Sequence, residues 1–178
     1  LSPKPDSSRY FMLRSTPAPA STPLSDLVLG LGPVTVPGYL DQNEMLDLVG
    51  PYEMKYSAEN RWVEPLGAQI YRTLADNLQA QLTPDAILAF PWYASDGVDL
   101  AVEVSIDPIR LDGSGAWQGG AAWVIRDPAT RVALERSSSD FVLGTDSIQP
   151  QDVARRLSDE LGRVAGEIAA GVRQHYVR

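Results

Sequence analysis

The chain has no cysteine and only one histidine, His175. Without cysteine it can make no disulfide, no zinc–thiolate site and no thiol nucleophile of its own. With one imidazole, two-histidine metal sites such as the H-E-x-x-H helix are excluded. A serine triad would have to use His175, near the C-terminal end of a helical pattern, where its charged form would be favoured by the helix dipole. No G-x-S-x-G elbow is present to display the serine. No apolar run approaches the roughly 18 residues that a membrane-crossing helix needs. Positive charge is also short: 15 lysines and arginines stand against 23 aspartates and glutamates, a formal net charge of −8. Nucleic acid is therefore not an expected partner, because a duplex binder needs a basic footprint to displace counterions. The same charge disfavours lying flat on an anionic leaflet. The chain opens at Leu1, within a Ser/Pro segment and not at Met, so any targeting segment is expected upstream of it.

What is present reads as a globular α/β chain. Its 178 residues, 44% hydrophobic, suffice for one domain with one core. Leu1–Ser8 (LSPKPDSS) offers little to bury and is expected to be a flexible tether, leaving residues 9–178 as a single domain. Val98–Asp112 is the organising stretch. Val98, Leu100, Val102, Val104 and Ile106 alternate with Asp99, Ala101, Glu103, Ser105 and Asp107, the period of a strand with one buried face. Gly113-Ser114-Gly115 and Asp127–Thr130 then turn the chain into strands Ala116–Arg126 and Arg131–Ser139, an antiparallel meander. Earlier strands are predicted at Arg9–Leu13, Leu27–Val36, Glu44–Val49, Tyr52–Tyr56 and Ala86–Phe90, with a hairpin across Gly50-Pro51. Ser15–Ser25 reads as a surface connector, or as an arm that packs on a neighbouring subunit.

Two helices are predicted. The first starts near Pro65, carries Leu66, Ile70, Leu74, Leu78 and Leu82 on one stripe, and leaves Arg72, Asp76, Asn77 and Gln79 off it. The second runs from about Pro150 to Tyr176, with Val153, Leu157, Leu161, Val164, Ile168 and Val172 facing the core. Gly162, Gly166 and Gly171 weaken it and imply close approach to the sheet or to a partner. The expected architecture is a mixed, mostly antiparallel sheet with two long amphipathic helices packed on it.

Few constellations carry chemistry. Gly30 and Gly32 resemble the start of a dinucleotide fingerprint, but Pro33 follows and no helix opens there, so a bulge or a close backbone approach is the better reading. Asp99, Glu103 and Asp107 share one face of the central strand. Paired carboxylates can do acid–base work, which would make the chain a hydrolase, yet polar residues at every second position also describe a solvated face. Trp92-Tyr93, following Pro91 at a strand end, is the best candidate for an exposed anchor in a partner contact. Trp62, bracketed by Arg61 and Glu64 at the entrance to the first helix, is a further contact candidate; a pairing of those two charges would fix that entrance. No catalytic, cofactor-binding or metal-binding residue is assigned.

Five segments in order resemble the ABC-type transport auxiliary lipoprotein family, with its PqiC/YmbA-like membrane-integrity branch. Arg9–Leu13 is similar to an opening R-Y-Y-x-L strand. Leu29–Asp41 (LGLGPVTVPGYLD) resembles G-x-G-P-V-x-x-P-x-Y-L-D. Arg61–Leu66 (RWVEPL) matches R-W-A-E-P-L except at Val63. Phe90–Trp92 (FPW) and Arg110–Gly113 (RLDG, against R-F-D-G) complete the series. The resemblance implies a fold like the N-terminal domain of TolB. It also implies a lipoprotein anchored to the outer membrane through a lipidated cysteine upstream of Leu1, facing the periplasm. The implied partners are a mammalian-cell-entry-domain conduit protein with its permease and ATPase, and further copies of the chain in a ring. On this resemblance the expected role is a non-catalytic docking adaptor. The alternative is a carrier that itself holds lipid in a pocket between the first helix and the sheet.

Overall fold

The two apolar stripes become two helices, and the sheet they cover follows from the strands between them. A computed structural model describes residues 7–16, 22–145 and 148–176 of the chain. Helix α1 spans Leu66–Leu82, and all five residues of its stripe are buried. It stops where Thr83 turns left-handed and donates its N–H to the Gln79 carbonyl, just before Pro84. Helix α2 spans Pro150–His175, with Pro150 in its first turn and Leu157, Leu161, Val164, Ile168 and Val172 in the core.

The main sheet is built from β2 (Val28–Thr35), β5 (Ala86–Ala89), β6 (Leu100–Ile106), β7 (Arg110–Leu111), β8 (Ala116–Arg126) and β9 (Ala133–Thr145). Its order is β5-β2-β6-β8, with β9 on the far side of β8 and β7 pairing β8 beyond the end of β6. Strand β2 runs parallel to both β5 and β6, whereas β6, β8 and β9 form the expected antiparallel meander. A smaller sheet, ordered β1-β4-β3, joins β1 (Arg9–Phe11), β4 (Glu53–Trp62) and β3 (Glu44–Gly50), and β3 and β4 form the predicted hairpin. Both helices lie against the main sheet and against each other. Val102, Val104, Trp123 and Ile125 supply the sheet's side of the core. Fully burying an aliphatic chain of this kind stabilises by about 1.5–3 kcal/mol.

Several details differ from the sequence reading; β4, expected over Tyr52–Tyr56, runs from Glu53 to Trp62. The stretch Val98–Asp112 is two strands rather than one, because Pro108 lacks the N–H that a continuous ladder needs. The last meander strand continues to Thr145 instead of ending at Ser139. Asn77, read as lying off the buried stripe of α1, is 1% exposed. Its side-chain oxygen accepts the Thr16 N–H at 3.0 Å, and its amide donates to the Thr73 carbonyl at 2.9 Å.

Asn77 is one of several buried polar groups that hold a strap. Leu13 N–H donates to the Gln69 side chain at 2.9 Å, and Arg14 N–H donates to Ser158 at 3.1 Å. Residues 13–16 thus lie along the helix pair, with backbone donors satisfied by side chains from α1 and α2. Gly162 gives the strap room, since a Cβ there would collide with Thr16, and Gly171 brings α2 against Ile125 and Glu135 of the sheet. Residues 17–21 of the expected connector and residues 1–6 of the expected tether lie outside the described residues.

Candidate functional site

Strand β5 ends at the aromatic segment Phe90–Tyr93. Asp96 shapes the turn after it: its carboxylate accepts the Tyr93 N–H at 2.7 Å, and Gly97 follows with φ of 67°. The Phe90 and Trp92 rings meet edge to face, 5.3 Å between centroids. Trp92 is half-buried because its ring lies over Gly30 of β2; a Cβ on Gly30 would be 3.1 Å from the indole and 2.9 Å from Val98. Both alternatives to a phosphate loop are therefore realised, since the β2–β6 register also shifts between Leu31 and Val34. Phe90 and Tyr93 face solvent, 58% and 72% exposed. The rings stand over the sheet beside Pro33, Glu103 and Ser105 on one side and Arg126 and Arg131 on the other.

Trp62 is placed differently. It is 5% exposed, at the end of β4, which withdraws it from the surface contacts proposed for it. Its backbone N–H donates to the Asn43 carbonyl at 2.6 Å, and its ring lines a largely apolar cavity of about 260 Å³, open to solvent on one side, between α1, α2, β3 and the end of the main sheet. Arg61 and Glu64 do not pair with each other. Arg61 reaches Glu44 across the β3–β4 ladder at 2.8 Å, and Glu64 pairs with Arg72 on α1.

Two of the segments that carried the family resemblance, Leu29–Asp41 and Arg61–Leu66, meet in this region. Pro65 offers no side chain to cap α1, and Asp41 does so from the preceding loop by accepting the Gly67 N–H at 2.9 Å. The Tyr39 hydroxyl accepts the Ile109 N–H at 2.9 Å, which ties the same loop to the break between β6 and β7. Leu40, Met45, Leu66 and Ile70 then form the deep wall of the cavity. Leu29–Asp41 supplies only Leu40 to the lining, and Arg61–Leu66 only Trp62 and Leu66.

The central-strand carboxylates do not converge on one point. Asp99 accepts the Val28 N–H at 2.8 Å and so pins the start of β2, while Glu103 pairs with Arg126 at 3.2 Å. Asp107 lies farther along, over Gly120 and beside the cavity. His175 is 3.2 Å from Glu135, tying the end of α2 to β9. Among the described residues no cluster of histidine, aspartate and glutamate is arranged to hold a metal. Two turn carboxyls are shifted by the fold: hydrogen bonds from Thr130 and the Ala129 N–H lower Asp127, and hydrogen bonds from Ser114, then from the Ala116 N–H and Gln118, hold the carboxyl of Asp112 below the usual aspartate range. That residue closes the tight Asp112–Ala116 connection and faces no reacting partner.

The described residues form a mixed α/β domain with exposed aromatics at the end of β5. The chain belongs to the family described as the ABC-type transport auxiliary lipoprotein component, whose pattern matches residues 11–169. It is thus a member of a family of envelope lipoproteins that serve transport systems. No curated protein sequence is significantly similar to it. Among solved structures, an uncharacterized protein aligns with a TM-score of 0.70 at 19% identity, covering 93% of this chain and 98% of its own. A DUF330-family protein from Xanthomonas campestris aligns at 0.70 and 13% identity, covering 90% and 91%. PelC from Paraburkholderia phytofirmans, crystallised as a dodecamer, aligns at 0.50 and 11% identity over 85% and 93%. At these identities the likeness is one of fold. Among the described residues no helix is long and apolar enough to cross a membrane.

Proposed function

We propose that this chain is a non-catalytic, periplasm-facing adaptor of an envelope lipid transport system and that it supports outer-membrane integrity. A lipidated cysteine upstream of Leu1 anchors it to the outer membrane, residues 1–8 act as tether, and residues 9–178 form a single docking domain. Its partner is a mammalian-cell-entry-domain conduit protein associated with a permease and an ATPase. The observation that carries the reading is the exposure of Phe90 and Tyr93 beside Trp92, large rings held at a strand end without a core to fill. Aromatic anchors of this kind dominate binding energy at interfaces, and the chain's excess negative charge sets orientation and encounter rate. Self-association into a ring is part of the proposal, supported by the dodecameric assembly of the PelC neighbour.

The test is co-purification from envelope extracts. The intact lipoprotein recovers the conduit protein or its permease, and Tyr93→Ala with Trp92→Ala lowers recovery by an amount corresponding to about 2 kcal/mol or more. Recovery of no transport component by the intact protein would overturn the assignment.

A further inference from the structure

We propose that the outer edge of β9 pairs antiparallel with β9 of a second copy, about a two-fold axis at Ser138. The main sheet ends differently on its two sides. Strand β5 closes one side with four residues and stops short of Pro91. Strand β9 closes the other with 13 residues, and no strand pairs its outer side among the described residues. Long edges are usually blunted by lysine, proline or a bulge, and Ala133–Thr145 contains neither lysine nor proline. The direction of its backbone follows from the neighbouring ladder. Gly120, opposite Asp140, gives its carbonyl to the Asp107 N–H on the far side of β8, so Asp140 turns its own backbone groups away from β8. Ser138 and Arg136, two and four residues back, face the same way. The Asp140 carbonyl accepts Arg163 at 2.9 Å and keeps a second lone pair for another donor.

The side chains choose the partner. Along β9 the even positions are exposed: Leu134 and Val142 at 39% and 44%, with Arg136, Ser138 and Asp140 between them. Asp140 is held only loosely, by Arg110 at 3.4 Å. These residues are placed symmetrically about Ser138, with Arg136 and Asp140 two positions away and Leu134 and Val142 four. Antiparallel pairing about that point sets Arg136 of one copy against Asp140 of the other, and Leu134 against Val142, each twice. Opposite charges and apolar side chains directly across are the pairs that stabilise neighbouring strands. Parallel pairing in register would instead set Arg136 against Arg136 and Asp140 against Asp140. The occupant this edge fits is therefore a second copy of the chain. The contact uses one surface twice and closes at two copies, whereas a ring needs two different surfaces on each copy. It stands apart from the ring and from docking at Tyr93, and each can fail without the others.

Because the chain has no cysteine, single introduced thiols read the register directly. Ser138→Cys in the purified chain links to its own copy under mild oxidation or with a short bifunctional thiol reagent, since the axis sets the two residues opposite, about 5.5 Å between Cα atoms. Val142→Cys does not link to itself, because its two copies lie roughly 27 Å apart along the paired strands. A mixture of Leu134→Cys and Val142→Cys chains yields the mixed dimer. In sedimentation, Arg136→Asp sets like charges across both ends and weakens dimerisation about tenfold or more. Adding Asp140→Arg in the same chain restores it. A chain that stays monomeric at tens of micromolar would overturn the proposal. So would self-linking of Val142→Cys as efficient as that of Ser138→Cys, or no rescue by the second charge reversal.

Discussion

Replacing Gln69 with methionine should loosen the strap that binds residues 13–16 to the helix pair. Gln69 is buried in α1; its side-chain oxygen accepts the Leu13 N–H at 2.9 Å, and its amide donates to the Glu64 carbonyl at 3.1 Å. Methionine keeps the length and the apolar volume and removes both bonds. The buried Leu13 N–H is then orphaned, which costs about 1–3 kcal/mol. For a chain of this length that corresponds to a fall in Tm of roughly 4–8 °C, taking the middle of the range. Asn77→Leu does the same to the Thr16 N–H. Both substitutions act on one segment, so the second finds the strap already released. The double variant should therefore cost less than the sum by about 0.5 kcal/mol or more. Urea denaturation supplies the energies, and amide hydrogen exchange at Leu13, Arg14 and Thr16 should accelerate together in either single variant. Strict additivity, with the Leu13 amide still protected in Gln69→Met, would refute the idea of one cooperative strap. The result bears on function because this strap lies between the N-terminal end, where the proposed anchor pulls, and the helical core.

Two further outcomes are expected. The folded state lowers the Asp112 carboxyl chiefly through the Ser114 hydroxyl, so its contribution is present above the ordinary aspartate range and is lost as pH falls through the lowered value. Asp112→Asn should accordingly be less stable than the unaltered chain at pH 7, with the difference vanishing in acid; denaturation midpoints measured across that range check the sign. Gly30→Val should push Trp92 off the sheet, since even a Cβ has no room there. It should raise indole exposure to a soluble quencher while the helical circular dichroism stays intact.

Much of the architecture was legible because its signals are local. The four-residue spacing from Leu66 to Leu82 and the mixed three- and four-residue steps along α2 marked their buried faces without reference to anything distant. The meander was legible from alternation punctuated by glycine and proline turns. Pro108 was visible too, but the apolar alternation on both sides of it masked the break it imposes. The buried polar groups were not legible. Gln69, Asn77 and Ser158 meet backbone donors 56, 61 and 144 residues away, and a helix wheel can only place them beside the apolar stripe. Asp41 caps α1 from 26 positions upstream, across the whole β3–β4 hairpin. The exposed ring at Tyr93 followed from a proline at a strand end, whereas Trp92, expected to be exposed with it, is half-buried over Gly30, and Phe90, read as the end of the strand, faces solvent. Trp62 went the other way, because β4 runs on to its position and turns its ring inward against Met45 and Leu66.

The docking claim is tested most directly by placing a photoreactive phenylalanine analogue at position 93 in the intact lipoprotein and illuminating living cells. The account predicts a crosslink to the conduit protein or its permease from position 93, and none from a control at Asp159 on the exposed side of α2. Equal crosslinking from both positions, or adducts at position 93 that contain no transport component, would contradict it.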